Sequence, residues 1–359
     1  MKGPVLIMAG GTGGHVFPAL ELARRLRERS VEVVWLGTRR GIEARVIGAE
    51  DIPIEWLSVG GLRGKGWRTR LAAPWRLAVA LWQALAVMRR RRPRLVVGLG
   101  GFVTGPGGIA AWLTRRPLLI HEQNAIAGFT NRALAPLARE VLAAFPGSFP
   151  ARVHAQVIGN PVRREISALP PPQERLGRRG AAVHVLVVGG SQGALRLNTV
   201  VPYALQRTAV RCVVRHQAGE RWCEACRQNY AAAGVAADVQ PFIADMAEAY
   251  GWADLVICRA GALTVAELAA AGVGAVLVPF PAAVDDHQTC NARLLVQAGA
   301  AVLIAERDLT AERLAAEIER VGADRRRLIA MAECARTLAH PEAAEVFAER
   351  CVHWLGRAA

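Results

Sequence analysis

The segment Cys258–Asn291 holds the residue types best suited to bind a nucleotide. The apolar strand Leu255–Cys258 leads into a turn of small residues, Arg259–Ala262, and the helix that follows carries Thr264 and Glu267 near its start. Such a turn lets a phosphate approach the unpaired N–H groups of the helix, where the helix dipole also favours an anion. A carboxylate one turn further along is able to accept both hydroxyls of a ribose. The spacing therefore predicts a nucleotide site.

Four polar residues, Asp285-Asp286-His287-Gln288, follow the next apolar strand, Ala275–Val278. The side-chain amide of Gln288 is suited to recognise the hydroxyls of a sugar, which extends the predicted ligand to a nucleotide that carries a sugar. Asp285 and Asp286 form an acidic pair, which suggests either a metal site or a loop turn with a helix cap. We favour the turn and cap, and we predict neither a metal nor a cofactor.

Three glycine-rich loops follow predicted strands, at residues 9–15, 98–108 and 189–194. Loops at the carboxyl ends of parallel strands are where α/β folds bind ligands, and glycine lets the backbone come close to a phosphate. The first loop lacks the GxGxxG spacing of a dinucleotide site, and Glu32 stands too early in the second strand to bind a ribose. The loops therefore predict phosphate cradling and argue against an NAD-dependent dehydrogenase.

Two residues at strand ends are candidates for a general base. His15 lies at a helix start, where the positive end of the dipole favours the neutral imidazole that accepts a proton from an attacking hydroxyl. Its alternative role is to cap the helix. Glu122 is the second candidate, and it is equally suited to accept hydrogen bonds from the N–H groups of its own loop. We rank His15 first.

The composition is that of a globular protein with a strong basic excess. The 359 residues suffice for two domains of ordinary size, and 52% of them are hydrophobic. The net charge of +15 predicts attraction to anionic lipid, nucleic acid or phosphorylated substrates. No nucleic-acid-binding module is visible and the arginines are dispersed, so we expect no nucleic-acid partner. Seven scattered cysteines and no secretory signal before the first strand predict a reducing cytoplasm.

Short continuous runs of valine, isoleucine and leucine alternate with helical stretches along the chain. Such runs are typical of parallel sheets covered on both faces. The predicted strands are Val5–Ala9, Val31–Leu36, Leu95–Leu99, Leu118–His121, Val141–Phe145, Val183–Val188, Val210–His216, Val239–Pro241, Leu255–Cys258, Ala275–Val278 and Ala301–Ile304. Each half begins with a strand, a glycine loop and a helix. We therefore predict two doubly wound, Rossmann-like α/β domains that face each other across a cleft.

A cluster of proline and charge at residues 169–180 predicts a linker between these domains. We set the domain limits at residues 1–163 and 164–341. The final helical stretch, at about residues 342–357, could dock on either half, and we consider its return to the first domain.

Long motifs follow one another in a fixed order along nearly the whole chain: MAGGTGGHVFPAL (8–20), GLRGKG (61–66), GGFVTGPGG (100–108), HEQNAIAGFTN (121–131), GNPVR (159–163), VVGGSQGALRLN (187–198) and FIADMAEAYGWAD (242–254). Together with the segment Cys258–Asn291, they resemble the MurG family of bacterial peptidoglycan glycosyltransferases. That family transfers N-acetylglucosamine from UDP to lipid I, the lipid-linked muramoyl-pentapeptide, and forms lipid II. The resemblance implies the two-domain GT-B architecture and the same inverting transfer.

The resemblance also implies roles for individual residues. In the second half, Glu267 would hold the ribose hydroxyls, Ile243 would pair with uracil through its backbone, and Gln288 would contact the N-acetylglucosamine. Ser191 and Arg163 would assist at the phosphate and at the domain hinge. The diphosphate would lie at the helix start formed by Ala262, Leu263, Thr264, Val265 and Ala266. In the first half, the residues that would approach the transferred sugar and the acceptor are Thr12, Gly13, Gly14 and Asn124.

A lipid-linked acceptor requires contact with a membrane, and the region Leu62–Met88 is the predicted contact. It combines basic residues with a helix that starts near Pro74. Its apolar run Leu77–Val87 is too short to span a bilayer, so a helix lying on an anionic membrane surface fits better. The alternative is a helix packed on the first sheet and ending in solvated arginines. We expect a peripheral protein at the cytoplasmic face of the plasma (inner) membrane.

Two other classes of protein remain as alternatives. Another GT-B UDP-sugar transferase acting on a membrane glycolipid would share the second half but differ in the motifs around His15 and Glu122. A noncatalytic membrane-surface protein would explain the amphipathic helix but not the nucleotide features. The sequence leaves open the oligomeric state and which other cell-wall assembly proteins are partners.

Overall fold

The computed structural model describes residues 3–39, 41–58, 73–177, 179–190, 193–283 and 286–357. The chain falls into two compact units. Unit 1 comprises Met1–Val162 with Glu342–Ala359, and unit 2 comprises Arg163–Pro341. Each unit is built around its own parallel sheet, as the alternation of apolar runs and helical stretches predicts.

The sheet of unit 1 has seven strands among the described residues. They are β1 (Val5–Met8), β2 (Val33–Gly37), β3 (Ile54–Trp56), β4 (Leu95–Gly98), β5 (Leu118–Glu122), β6 (Glu140–Ala143) and β7 (Gln156–Val157). Their order is β3-β2-β1-β4-β5-β6-β7, and every pairing is parallel. The order reverses between β1 and β4, so the loops that follow these two strands are neighbours at the carboxyl edge, where such sheets bind ligands.

The eleven predicted strands are all present, each within two residues of its predicted limits. The two that sequence analysis missed are β3 and β7, of three and two residues, which are too short to give an apolar pattern. Glu32 lies before β2 rather than inside it, at the amino edge of the sheet. This placement removes Glu32 from any ligand site at the carboxyl edge.

The helices of the first part of unit 1 are α1 (Gly13–Glu28), α2 (Glu43–Val46), α3 (Ala73–Arg91), α4 (Thr104–Leu113) and α5 (Phe129–Leu134). Helix α1 begins four residues before its predicted start near Phe17. Glycine is a poor helix former, and two glycines hid this start. Because the first turn of a helix has N–H groups without intrahelical partners, the early start places Gly13 and Gly14 among them.

The sheet of unit 2 has six strands among the described residues. They are β8 (Val183–Val188), β9 (Cys212–Gln217), β10 (Asp238–Gln240), β11 (Leu255–Cys258), β12 (Gly274–Leu277) and β13 (Ala301–Leu303). Their order is β10-β9-β8-β11-β12-β13, again with parallel pairing throughout. The helices are α6 (Arg164–Ser167), α7 (Pro172–Gly177), α8 (Leu195–Arg207), α9 (Cys223–Ala232), α10 (Met246–Trp252), α11 (Ala262–Ala271), α12 (His287–Gln297), α13 (Ala311–Gly322) and α14 (Arg325–Thr337).

The predicted linker at residues 169–180 is wrong, because this stretch includes helix α7 and belongs to unit 2. The guanidinium of Arg175 donates to the carbonyl oxygen of Tyr250 at 3.2 Å and to those of Ala271 and Gly272 at 2.6 Å. Carbonyls at the end of a helix lack intrahelical donors, so Arg175 satisfies those of α10 and α11. The positive charge of Arg175 in residues 169–180 therefore has a capping role and does not mark a flexible connection.

The last helix of the chain, α15 (Ala343–Arg357), is part of unit 1. Phe347 is fully buried and stacks on His121, with ring centroids 5.1 Å apart. Arg350 and Trp354 each donate to the carboxylate of Glu140 at 2.6 Å. These contacts fix the end of the chain against β5 and β6.

Candidate functional site

The helix start predicted to meet a phosphate is present in unit 2. Helix α11 begins at Ala262, after Gly261 in an extended conformation. The N–H of Val265 donates to the carbonyl of Gly261 at 2.9 Å, so the N–H groups before it lie in the first turn, where a helix offers donors to an anion. The side-chain amide of Asn291 in α12 donates to the carbonyl of Ala260 at 3.2 Å and so connects the turn to α12.

Glu267 lies on α11, is only 7% exposed, and receives one hydrogen bond on each carboxylate oxygen. Arg163 Nη2 donates to Oε1 at 3.2 Å, and the hydroxyl of Tyr250 donates to Oε2 at 3.1 Å. Burial raises the pKa of the Glu267 carboxyl, while the charge of Arg163 and the hydrogen bonds oppose that rise. Sequence analysis assigned Arg163 to the phosphate and the hinge, whereas here it contacts the ribose-binding candidate. Tyr250 was not anticipated.

Ile243, predicted to pair with uracil, already uses its backbone N–H. That N–H donates to Oε1 of Gln217 at 3.0 Å, and Nε2 of Gln217 donates to the carbonyl of Gly190 at 3.0 Å. Gln217 is the last residue of β9, and its buried amide joins two loops at the carboxyl edge of the sheet. A base that uses the Ile243 N–H must therefore share it with Gln217 or displace the amide.

Gln288 lies in the first turn of α12, and its side-chain oxygen accepts the N–H of Phe280 at 2.9 Å. Sugar recognition would therefore use its amide nitrogen or require release of the oxygen. Asp286 precedes the helix with φ +51° and accepts the hydroxyl of Thr289 at 2.7 Å, which is a turn, but its side chain does not cap a backbone N–H of the helix as predicted. Two residues named in the sequence analysis, Ser191 and Asp285, lie outside the described residues.

In unit 1, the loops that follow β1 and β4 meet at His15. The hydroxyl of Thr12 lies 3.0 Å from Nδ1 of His15, which fixes the ring. The ring also lies against Gly100, where an added Cβ would stand 2.7 Å from it. A Cβ on the next residue, Gly101 (φ +85°), would stand 2.2 Å from the carbonyl of Gly10, so only glycine fits this contact between the two loops.

Glu122 ends β5 and is almost fully buried. Its carboxylate accepts the backbone N–H of Asn124 at 3.0 Å and that of Gly128 at 3.0 Å, together with the side-chain amides of Asn124 at 3.1 Å and Asn131 at 2.8 Å. An ionised carboxylate has about four acceptor positions, and these donors occupy them. The geometry favours a loop-organising role for Glu122 over that of a base, and it holds Asn124 in place.

Sequence analysis missed Glu43, a fully buried acid beside the first glycine loop. Its carboxylate accepts the N–H of Gly11 at 3.1 Å, and the N–H and hydroxyl of Thr38 at 2.9 and 2.7 Å. A Cβ on Gly10 would stand 2.6 Å from it. The only signal in the sequence was the position of Glu43, an acid shortly after the end of β2, the strand that pairs with β1. No recognisable motif surrounds it.

Helix α3 has a buried and an exposed side. Met88, which was assigned to the membrane region, is instead buried against the sheet. Arg90 and Arg91, which were expected to be solvated, form ion pairs with Glu55. Large exposed aromatic side chains lie on α3 and on the neighbouring α4 and α5 with their entry loops, and we call them together the aromatic surface: Trp75 (74% exposed), Trp82 (70%), Phe102 (51%), Trp112 (53%) and Phe129 (73%). Residues 59–72 of the predicted membrane region lie outside the described residues.

Among the described residues, none of the helices combines the length and the hydropathy needed to cross a membrane.

Both units match domains of one glycosyltransferase family. Residues 5–143 match the N-terminal domain of glycosyltransferase family 28, and residues 184–347 match its C-terminal domain. Two parallel-sheet α/β units of this kind are the GT-B fold, which confirms the predicted fold class. The chain belongs to glycosyltransferase family 28.

Individual relatives are similar over nearly the whole chain. The UDP-N-acetylglucosamine–N-acetylmuramyl-(pentapeptide) pyrophosphoryl-undecaprenol N-acetylglucosamine transferase of Alkalilimnicola ehrlichii is 60% identical over 354 residues, covering 98% of this chain and 99% of that protein. The protein of the same name from Nitrosococcus oceani is 59% identical, with 97% and 98% covered. The crystal structure of Acinetobacter baumannii MurG is 42% identical and has a TM-score of 0.84, with 97% and 99% covered. These similarities confirm the resemblance drawn from the motifs.

Proposed function

We propose that this protein is an inverting glycosyltransferase that moves N-acetylglucosamine from UDP-N-acetylglucosamine onto lipid-linked muramoyl-pentapeptide, lipid I, to give lipid II. Two relatives named for this transfer are 59 to 60% identical to the chain over nearly its whole length. The observation that carries the proposal is the buried carboxylate of Glu267 on α11, held by two donors beside a helix start.

The order of strands in unit 2 supports donor binding there. From β10 to β12, the carboxyl edge presents Ile243, Gln217, Gly190, the start of α11 and then Gln288. Neighbouring strands lie about 4.8 Å apart, so this row spans about 19 Å, comparable to an extended UDP-sugar. Uracil at Ile243, ribose and diphosphate at α11, and sugar at Gln288 would then follow one another along the edge.

Inversion at the sugar carbon is a single in-line displacement, which requires stabilisation of the departing UDP. The N–H groups that precede Val265 in the first turn of α11 would face the negative charge developing on the diphosphate without reorganisation. The charge of Arg163 is paired with the carboxylate of Glu267 on the same helix, so the N–H groups carry this role. These groups supply the leaving-group stabilisation that a cation supplies in other transferases.

We assign the acceptor to unit 1. His15 is the base that takes the proton of the acceptor hydroxyl, since Thr12 fixes its ring at the start of α1. The N–H groups of Gly13 and Gly14 and the amide of Asn124 complete the surface that the sugar and the acceptor approach. Glu122 acts through Asn124 by holding its loop.

The aromatic surface of unit 1 is the proposed contact with the membrane. Trp75 and Trp82 are more than two-thirds exposed, and exposed aromatic side chains of this size favour the interfacial region of a bilayer. The net charge of +15 adds attraction to anionic lipid. The protein would then work as a peripheral protein at the cytoplasmic face of the inner membrane, where a lipid-linked acceptor is accessible.

The direct test is UDP release from UDP-N-acetylglucosamine with a lipid I analogue as acceptor. We expect release by the wild type only when the acceptor is present, and strong loss in Glu267→Ala, mainly through weaker donor binding. Glu248→Ala is the matched control, since Glu248 is an exposed acid of α10 that pairs with Arg215. No acceptor-dependent release by the wild type would overturn the proposal, and unchanged release in Glu267→Ala would remove Glu267 from the site.

A further inference from the structure

The buried Tyr250 hydroxyl is not part of the proposed reaction, yet it contacts the acid on which donor binding depends. Tyr250 lies on α10 and is fully buried, and its hydroxyl donates to Oε2 of Glu267 at 3.1 Å. Arg163, just before α6, donates to the other oxygen, Oε1, at 3.2 Å. The carboxylate of α11 is thus held between two further elements of unit 2.

The Glu267 carboxylate keeps acceptor positions that neither Tyr250 nor Arg163 occupies. An ionised carboxylate has about two acceptor positions on each oxygen. Tyr250 takes one on Oε2 and Arg163 takes one on Oε1, so one position remains on each oxygen of Glu267. Two adjacent acceptors match two adjacent donors, which is the pattern of the 2′ and 3′ hydroxyls of a ribose.

Tyr250 is suited to hold this pattern because it is a permanent donor in a fixed place. Burial and the neighbouring Glu267 charge raise the pKa of its phenol well above 10, so the hydroxyl stays protonated and donates. The same hydrogen bond lowers the pKa of the Glu267 carboxyl against the effect of burial. The carbonyl of Tyr250 accepts Arg175 at 3.2 Å, which anchors the end of α10.

We propose that Tyr250 is a positioning residue for nucleoside recognition. Its hydroxyl holds the Glu267 carboxylate in the rotamer whose two remaining acceptor positions meet the 2′ and 3′ hydroxyls of the donor ribose. The inference rests on the proposed function, and it adds that discrimination between ribose and deoxyribose depends on a residue that never contacts the nucleotide.

The test compares the affinities of the full-length protein for UDP and for 2′-deoxy-UDP by titration calorimetry. A hydrogen bond to a charged group supports a wild-type preference for UDP of at least about 10-fold. In Tyr250→Phe we expect the affinity for UDP to fall about 10-fold. The preference for UDP over 2′-deoxy-UDP should fall to about 3-fold or less. A variant that keeps the wild-type preference would overturn the inference, because a purely structural defect weakens both ligands equally.

Tyr230→Phe is the matched control. Tyr230 is a second buried tyrosine of unit 2, and its hydroxyl bonds to His216 at 2.9 Å rather than to Glu267. Both substitutions remove one buried phenol hydroxyl, so a similar loss of stability is expected from each. Only Tyr250→Phe should change the preference for UDP, and an equal change in Tyr230→Phe would contradict a specific role for Tyr250.

A pH profile gives a second readout. Loss of the Tyr250 hydroxyl removes an interaction that lowers the Glu267 pKa, so UDP binding to Tyr250→Phe should be lost at a higher pH on the acid side. If Tyr250→Phe does not fold, 3-fluorotyrosine at position 250 keeps the hydroxyl and makes it a stronger donor. The pH at which UDP binding is lost on acidification should then be lower than in the wild type. An unchanged pH would overturn the inference.

Glu267→Gln distinguishes a failure of the positioning role of Tyr250 from a failure of the proposed donor site. If it abolishes the preference for UDP while Tyr250→Phe retains it, the role of Tyr250 is wrong and the donor site stands. If Glu267→Gln binds UDP and 2′-deoxy-UDP as the wild type does, the proposed donor site itself is wrong.

Discussion

Gln217 and Ile243 are joined by a hydrogen bond of 3.0 Å from the backbone N–H of Ile243 to the side-chain oxygen of Gln217. The same amide donates to the carbonyl of Gly190, so one side chain links the loops after β8, β9 and β10. The group proposed to recognise uracil is therefore satisfied internally, and nucleotide binding has to replace or share this bond.

Replacement of Gln217 by leucine should have opposite effects on stability and binding. The Ile243 N–H would be left buried without its acceptor, which should lower the free energy of unfolding by about 1–3 kcal/mol. Uracil would then satisfy that N–H without displacing an amide, so UDP should bind more tightly. Denaturant unfolding and UDP titration of the same variant measure both effects, and weaker UDP binding would show that Gln217 supports the base instead.

His15→Ala should lower turnover at saturating donor far more than it lowers donor affinity. A general base contributes roughly 10²- to 10⁴-fold to the rate, and His15 belongs to unit 1 whereas the donor groups belong to unit 2. Thr12→Val serves as the companion variant, because it removes only the hydroxyl 3.0 Å from Nδ1 and should have a smaller effect. A large loss of UDP affinity with near-normal turnover in His15→Ala would make His15 a binding group.

The double substitution Trp75→Ser with Trp82→Ser should weaken binding to vesicles that contain anionic lipid. The two exposed rings stand on α3, away from its buried side, so the fold should survive their loss. Sedimentation with vesicles at low salt measures the effect, and Trp222→Ser in unit 2 is the control for loss of a tryptophan. Equal sedimentation of the variant and the wild type would rule out this surface as the contact.

Acid should destabilise both units, since each buries a neutral histidine. Burial lowers the pKa of His121 in unit 1 to about 4 and that of His216 in unit 2 to about 3, against 6.5 for an unfolded histidine. Between pH 7 and pH 5 the unfolded chain takes up protons that the folded units do not. Each histidine therefore lowers the free energy of unfolding by about 2 kcal/mol at pH 5.

Chemical denaturation at the two pH values measures this loss. His216→Gln should reduce the difference between pH 7 and pH 5, even if the variant is less stable at both. His340→Gln is the control, because His340 is exposed and should leave the difference unchanged. If the free energy of unfolding of His216→Gln falls between pH 7 and pH 5 by as much as that of the wild type, His216 does not cause the loss.

Local signals in the sequence located the structural elements around Glu267, whose predicted role stays a prediction. The turn before α11, the helix itself and Glu267 lie within a few residues of one another, so their pattern could be interpreted directly. The residues that it missed act over longer separations: Tyr250 is 17 positions from Glu267, Gln217 is 26 from Ile243, and Glu43 is 32 from Gly11. Their partners become neighbours only when parallel strands align their carboxyl ends.

The errors have the same origin. Prolines and charges at residues 169–180 resembled a linker because the carbonyls that Arg175 caps are distant in sequence. Met88 belonged to an apolar stretch that suggested lipid, but a helix divides such a stretch between two sides, and only packing shows which side is buried. For Glu122, two roles were equally plausible until four donors appeared around its carboxylate.

The most direct test of the donor site is a crystal structure of the protein with UDP-N-acetylglucosamine. We expect the nucleotide on unit 2, with the ribose hydroxyls within hydrogen-bonding distance of the Glu267 carboxylate and the diphosphate at the N–H groups that open α11. Nucleotide bound on unit 1, or on unit 2 with its ribose away from Glu267, would contradict it.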